Sequence, residues 1–367
     1  MARLVFLRGE GVKLTLLKRN HMATLITALN TLMFTSELAR LAFKPEGESC
    51  VFSISVGGYH RLFENTYYTG GDGTVTVYDV DKILEDDLAG SCYGSYAFYA
   101  DGARIGPELV TVIRCDARVS EPAESFVTDF FLTAGIGERD TTPGRRETLS
   151  FYSPAGEEAA EVHAEYYNFA DRAVRSRVFA LGSSDPGLMT LDVSPSRFVD
   201  EATGLLIGYT VKASKRKVKY RVHRSLPEAD PVMIFRNVFG VWETLHLVGT
   251  KETSGTYTRE SANIAGEYRN YNIEEVVSHK ALTGPLRQAM VPVAMDMARS
   301  KDVFLLRADG SAGERVTVTA CETKHTNEDN AMPNLSFTYR LASTPSSMIE
   351  TIRPPRIFDQ SFDNTYE

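Results

Sequence analysis

The chain has 367 residues, 43% of them hydrophobic and 24% charged, proportions that fit a packed globular body and exclude a disordered or fibrous one. Its 40 basic and 48 acidic side chains leave a net charge of −8, which disfavours general attraction to nucleic-acid backbones or anionic membranes. No run approaches the roughly 20 apolar residues that span a bilayer, so no membrane span is expected.

In chain order, residues 1–20 mix Arg3, Arg8, Glu10, Lys13, Lys18 and Arg19 among apolar residues. That pattern lacks a signal-peptide core, so synthesis in a (host) cytoplasm is expected. Ala23 to Phe43 combines good helix formers with a strand-like run from Asn30 to Ser36, which reads as mixed structure. Gly70-Gly71-Asp72-Gly73 predicts a hairpin turn before the alternating Thr74 to Tyr78; preceding a strand, it lacks the helix N-terminus of a phosphate loop. Asp81 is placed to cap a short helix over Lys82 to Leu88.

Beyond the turn-rich Val119-Ser120-Glu121-Pro122, alternating strands are expected around Val174 to Ala180 and Met189 to Val193. The clearest hairpin spans Leu206 to His223, with Ser214-Lys215-Arg216-Lys217 as its loop. Leu286, Met290, Val293 and Met297 share a helical face that Pro292 would kink or shorten. Strands recur at Arg315 to Ala320 and Leu335 to Leu341. The fold class is therefore mainly β, with β-sandwich or barrel-like domains and a few short helices. The expected division is an N-terminal β domain over 1–120, a second β-rich region over 121–348 with room for two subdomains, and an extended tail over 349–367.

The chemistry-bearing patterns are incomplete. Gly90-Ser91-Cys92-Tyr93-Gly94 puts cysteine where a nucleophile elbow needs serine. The four cysteines never form a CxxC pair, and His163-Ala164-Glu165 and Cys321 to His325 each begin a metal site without completing four ligands. Asp79, Asp81, Glu85, Asp86 and Asp87 lack the spacing and central glycine of a calcium loop. No catalytic residue, metal or other cofactor is assigned. A hydrolase with dispersed acids would require a deep pocket holding two carboxylates of raised pKa.

Residues suited to contacts are easier to name. Lys215, Arg216 and Lys217 centre the one local positive patch, facing either solvent or an acidic partner such as another copy. Trp242, the only tryptophan, reads as a core residue of a strand through Phe235 and Val241, or as an interface anchor beside Arg236. Phe358, Phe362 and Tyr366 are spaced four apart in the tail and read as an arm docking on a neighbouring subunit. Phe362-Asp363-Asn364-Thr365-Tyr366 also echoes Phe63-Glu64-Asn65-Thr66-Tyr67.

Three segments, Phe126 to Thr133, Ile234 to Thr244, and Thr283 to Leu286 followed by Asp296 to Val303, occur in an order that resembles virion structural proteins of Bacteroides-type phages and prophages, tail or baseplate-like ones especially. Arg356 to Tyr366 is similar to the tails of such proteins, so the resemblance covers Phe126 to the C-terminus; Trp242 departs from it. It implies a β-rich, non-enzymatic subunit of rings or stacked assemblies, found in the virion, whose partners are other copies of itself and other virion proteins, with no catalytic residues to carry over. The alternative is a carbohydrate-binding or adhesin-like β module in contact with a glycan.

Overall fold

The computed structural model describes residues 23–225, 229–307, 309–322 and 332–343. Among them lie twenty-two strands and three short α-helices, so the protein is mainly β, and no sheet closes into a barrel. The reading of residues 1–20 and of the aromatic tail, with Phe358, Phe362 and Tyr366, lies outside the described residues. Two compact units divide the chain: one comprises residues 1–225, 236–243 and 289–296, the other 226–235, 244–288 and 297–367.

In the first unit, a five-stranded sheet in the order Leu32–Phe34, Ala103–Ile113, Tyr93–Ala100, Ser49–Val56, His60–Tyr68 packs against a three-stranded one made of Thr24–Leu25, Arg40–Lys44 and Val75–Tyr78. Period-two alternation buries Leu41 and Phe43 of the smaller sheet with Phe52, Ile54 and Phe98 of the larger, in one core. Ala23 to Phe43 is mixed, as expected: three short strands and a 3₁₀ turn at Thr35–Leu38. The helix runs over Val80–Asp87, two residues earlier than the sequence suggests, because Asp79 is the cap position and Asp81 sits in the first turn. Gly70 to Gly73 does turn, but it joins strands of different sheets and is a corner instead of a hairpin turn; Asp72 Oδ1 accepts from both the backbone N–H and the hydroxyl of Thr74.

Further along the same unit, Ala173–Ser183, Ala159–Asn168, Leu205–Ala213, Arg216–Val222 and Glu138–Thr141 form a second five-stranded sheet. Facing it is the two-stranded pair Thr148–Ser153 and Gly187–Asp192. Phe151 and Leu191 of the pair share a core with Val162, Tyr209, Val211, Val218 and Tyr220. A third cluster forms where Phe34, Phe126 and Phe239 meet with ring centroids 5.3–5.7 Å apart, within the range of favourable aromatic pairs.

The second unit holds most of a seven-stranded sheet in the order Trp242–His246, Val232–Arg236, Val303–Leu306, Ala312–Glu322, Ser336–Leu341, Glu267–Leu282, Lys251–Ile264. Met233, Phe235, Val316, Phe337 and Tyr339 are buried in its strands. The segment around Trp242 is a hairpin, not the single strand its apolar run suggested. Gly240, at φ +74°, closes the turn by donating its N–H to the Asn237 carbonyl, a backbone state a β-branched residue would resist. Pro292 is the second residue of the helix Val291–Arg299, so it shortens the helix without kinking it; a proline in the first turn forfeits no intrahelical bond.

Candidate interface surfaces

The hairpin Lys251–Ile264 and Glu267–Leu282 reverses through Ala265 and Gly266, both at positive φ (+55° and +91°), the signature of a tight two-residue turn. Its strands pair along their full length, but Ser336–Leu341 supports only His279–Leu282. The remainder runs out as a two-stranded ribbon, about 38 Å long at roughly 3.3 Å per residue. From Lys251 to Glu275 its residues are exposed apart from the half-buried Ala262.

The two faces of the ribbon differ. Tyr257 opposes Glu275, Arg259 opposes Ile273, Gly255 opposes Val277 and Asn263 opposes Tyr268, so one face carries Tyr257, Ile273, Val277 and Tyr268. All four are exposed, Tyr268 to 81%. On the other face lie Thr256, Thr258, Glu260, Arg269 and Glu274, together with the apolar Ile264 and Val276. Tyr257 donates its hydroxyl to Glu275 at 2.7 Å, and the carboxylate beside it pushes the phenol pKa up. A two-stranded hairpin is marginal in water by itself, and this one displays tyrosine and aliphatic side chains without a covering layer among the described residues. Sequence reading missed it because Thr, Ser, Asn and charged residues fill both faces between the sparse apolar positions. The Ala-Gly turn was the available signal.

Arg236 and Trp242 are brought together: the guanidinium lies 5.0 Å over the indole, and its Nη1 and Nη2 donate to the carbonyls of Ala89 and Gly90. Trp242 is 38% exposed, neither core nor fully free. The pair borders a cleft of about 510 Å³ lined also by Ser91, Cys92, Tyr93 and Thr190, with no carboxylate in its lining. Cys92 is buried there, which pushes its thiol pKa up to about 12 and keeps it protonated and unreactive at neutral pH. Next to Trp242 in the chain, Glu243 accepts from Thr133 Oγ1 at 2.6 Å, Arg139 Nη2 at 3.1 Å and Asn237 Nδ2 at 3.0 Å, all buried. Asn237 Oδ1 in turn accepts from the backbone of Phe239 and Val241, so this network holds the turn that presents Trp242.

The basic hairpin tip is resolved residue by residue. Leu205–Ala213 and Arg216–Val222 reverse through Ser214, at φ +54°, and Lys215. Lys215 and Lys217 are exposed, but Arg216 is not a surface residue as the basic run suggested: it is 1% exposed. Its Nε donates to the Val127 carbonyl at 2.6 Å, Nη2 to Tyr152 at 3.0 Å and Nη1 to Glu158, and its guanidinium lies 4.8 Å over the Phe151 ring. Nor is the positive patch left uncompensated. Lys215 reaches Asp129 at 4.0 Å, and Lys219 and Arg221 reach Glu138 at 3.6 and 2.7 Å.

His163 pairs with Glu161, and no cluster of three or more metal-ligating side chains occurs among the described residues. His325 lies outside them.

No family model and no curated protein matches the chain. Among solved structures, a chain of the virion of a native gene transfer agent particle is similar over 31% of this chain and 92% of that one, at 9% identity and a TM-score of 0.21.

Proposed function

We propose that this protein is a non-enzymatic structural subunit of a phage or prophage virion, tail or baseplate-like, that works by self-association and contacts with other virion proteins. The observation that carries the assembly part is the ribbon 251–278, whose tyrosine and aliphatic side chains and backbone edges are displayed to solvent. Folding orders about two dozen residues there at an entropic cost of roughly 1–2 kcal/mol each, with almost no burial in return within the chain. A partner chain supplies the burial. The virion assignment itself rests on the resemblance of Phe126 to the C-terminus.

Light scattering on the full chain tests the assembly part. A homo-oligomer is expected. Excising residues 254–278 and joining Thr253 to His279 through an Asn-Gly turn should give a folded protein of unchanged melting temperature that no longer associates. A full chain that stays monomeric at all concentrations, alone and with virion proteins, would overturn the reading.

The cleft favours the second reading, a carbohydrate-binding module. Tyr93 and Trp242 give it aromatic surface, and Ser91, Thr190 and Arg236 give it donors for sugar hydroxyls. Saturable binding on a glycan array that Trp242→Ala abolishes would support it.

A further inference from the structure

The ribbon has two free edges, and they are not equivalent. The sheet order ends at Lys251–Ile264, so its outer edge has no strand beside it among the described residues. The outer edge of Glu267–Leu282 is unpaired as far as Ser278. On that second strand the register shifts opposite Glu260 and Ser261, leaving Tyr271 as an extra, bulged residue. Bulges and prolines are devices that keep edges from pairing, and lysines serve the same end. Lys251–Ile264 contains no proline, no extra residue and a single lysine at its base.

We infer that the strand Lys251–Ile264 pairs antiparallel with the same strand of a second copy, across a two-fold axis at Tyr257. The inference deepens the assembly reading above and rests on it. A second copy is the occupant that the charges fit. Parallel, in-register pairing would set Lys251, Glu252, Arg259 and Glu260 each against itself. Antiparallel pairing about residue 255 would oppose Lys251 and Arg259, and about 256, Glu252 and Glu260. Axes at 259 and 260 would oppose Arg259 and Glu260 to their own copies. Of the axes that pair nine or more residues of this strand, only 257 and 258 bring no like charges directly opposite.

The axis at 257 sets the Tyr257 rings of two copies opposite one another and Thr256 opposite Thr258, cross-strand pairs that favour a sheet. Because the axis is perpendicular to the sheet, the faces bearing Tyr257, Ile273, Val277 and Tyr268 fall on the same side. A four-stranded sheet results, one face of which carries these apolar side chains of both copies together with Arg259 and Glu275.

The register is read by cysteine cross-linking of the full chain in a Cys321→Ser background, since the other three native thiols are buried. Opposed residues in antiparallel strands have Cα atoms about 4.5–5.5 Å apart, within disulfide range, whereas the two copies of residue 256, or of residue 258, would be diagonal neighbours about 7–8 Å apart, beyond it. Tyr257→Cys should therefore give a covalent dimer on mild oxidation, released by reductant, while Thr256→Cys and Thr258→Cys give none. A cross-link from Thr258→Cys in place of Tyr257→Cys, or none from Tyr257→Cys in a protein that light scattering shows to associate, overturns this pairing and leaves the assembly reading standing. A monomer by scattering overturns both.

Discussion

Two hairpins of this protein are built on the same local plan and end in opposite environments. Leu205–Ala213 with Arg216–Val222 buries every second residue of its second strand, Arg216, Val218 and Tyr220, under the pair Thr148–Ser153 and Gly187–Asp192. Lys251–Ile264 with Glu267–Leu282 reverses through an equally tight turn, yet its distal residues meet no second layer among the described residues. Alternation defines which residues share a face. Whether that face becomes core or contact surface depends on what the rest of the chain lays over it.

The strongest way to break the comparison is to attack the embedded hairpin. Arg216→Ala strands the carbonyls of Val127 and Tyr152 and the Glu158 carboxylate in or near the core, and should cost about 3–5 kcal/mol, read as a fall in melting temperature or denaturation midpoint. By contrast, Tyr257→Ser with Ile273→Ser on the free ribbon should move stability by only about 0.5 kcal/mol, as exposed substitutions do, while abolishing association in light scattering. If the ribbon variant unfolds and the Arg216 variant does not, the contrast fails.

A subtler effect belongs to the buried acid beside the embedded sheet. Glu147 accepts a hydrogen bond from Thr141 at 3.0 Å, and desolvation pushes its pKa above the ordinary carboxylate range despite Arg145 and Arg139 nearby. A folded-state pKa above the unfolded one means that its contribution is fully present below the unfolded value and is lost as pH rises through the folded one. Glu147→Gln should remove that component, flattening melting temperature against pH between the carboxylate range and neutrality. The smallest effect is expected at the tip itself: Lys215→Ala and Lys217→Ala should each change stability by about 0.5 kcal/mol or less, although they flank Arg216 in sequence.

Much of the framework was legible. Thr74 to Tyr78, Met189 to Val193 and the hairpin from Leu206 to His223 announced themselves by alternation and turn residues, and the structure has strands there. Less legible was the hairpin at 234–244, where a continuous apolar run masked the turn that Gly240 makes. Arg236 and Trp242, singled out as an interface pair, do touch, but on the wall of a cleft to which the distant Ser91, Cys92, Tyr93 and Thr190 also contribute.

By itself the sequence determined that this is a β protein, where many of its strands turn, and which residues stand on the same side of each strand, because those properties follow from backbone preferences and a two-residue period. Only the tertiary structure decided that Arg216 lies inside between two exposed lysines, that the acids Asp129, Glu138 and Glu158 answer the basic tip, and that a ribbon of threonines, tyrosines and charges stands uncovered. Burial is set by which distant segments arrive on a face, and that information is spread over the whole chain.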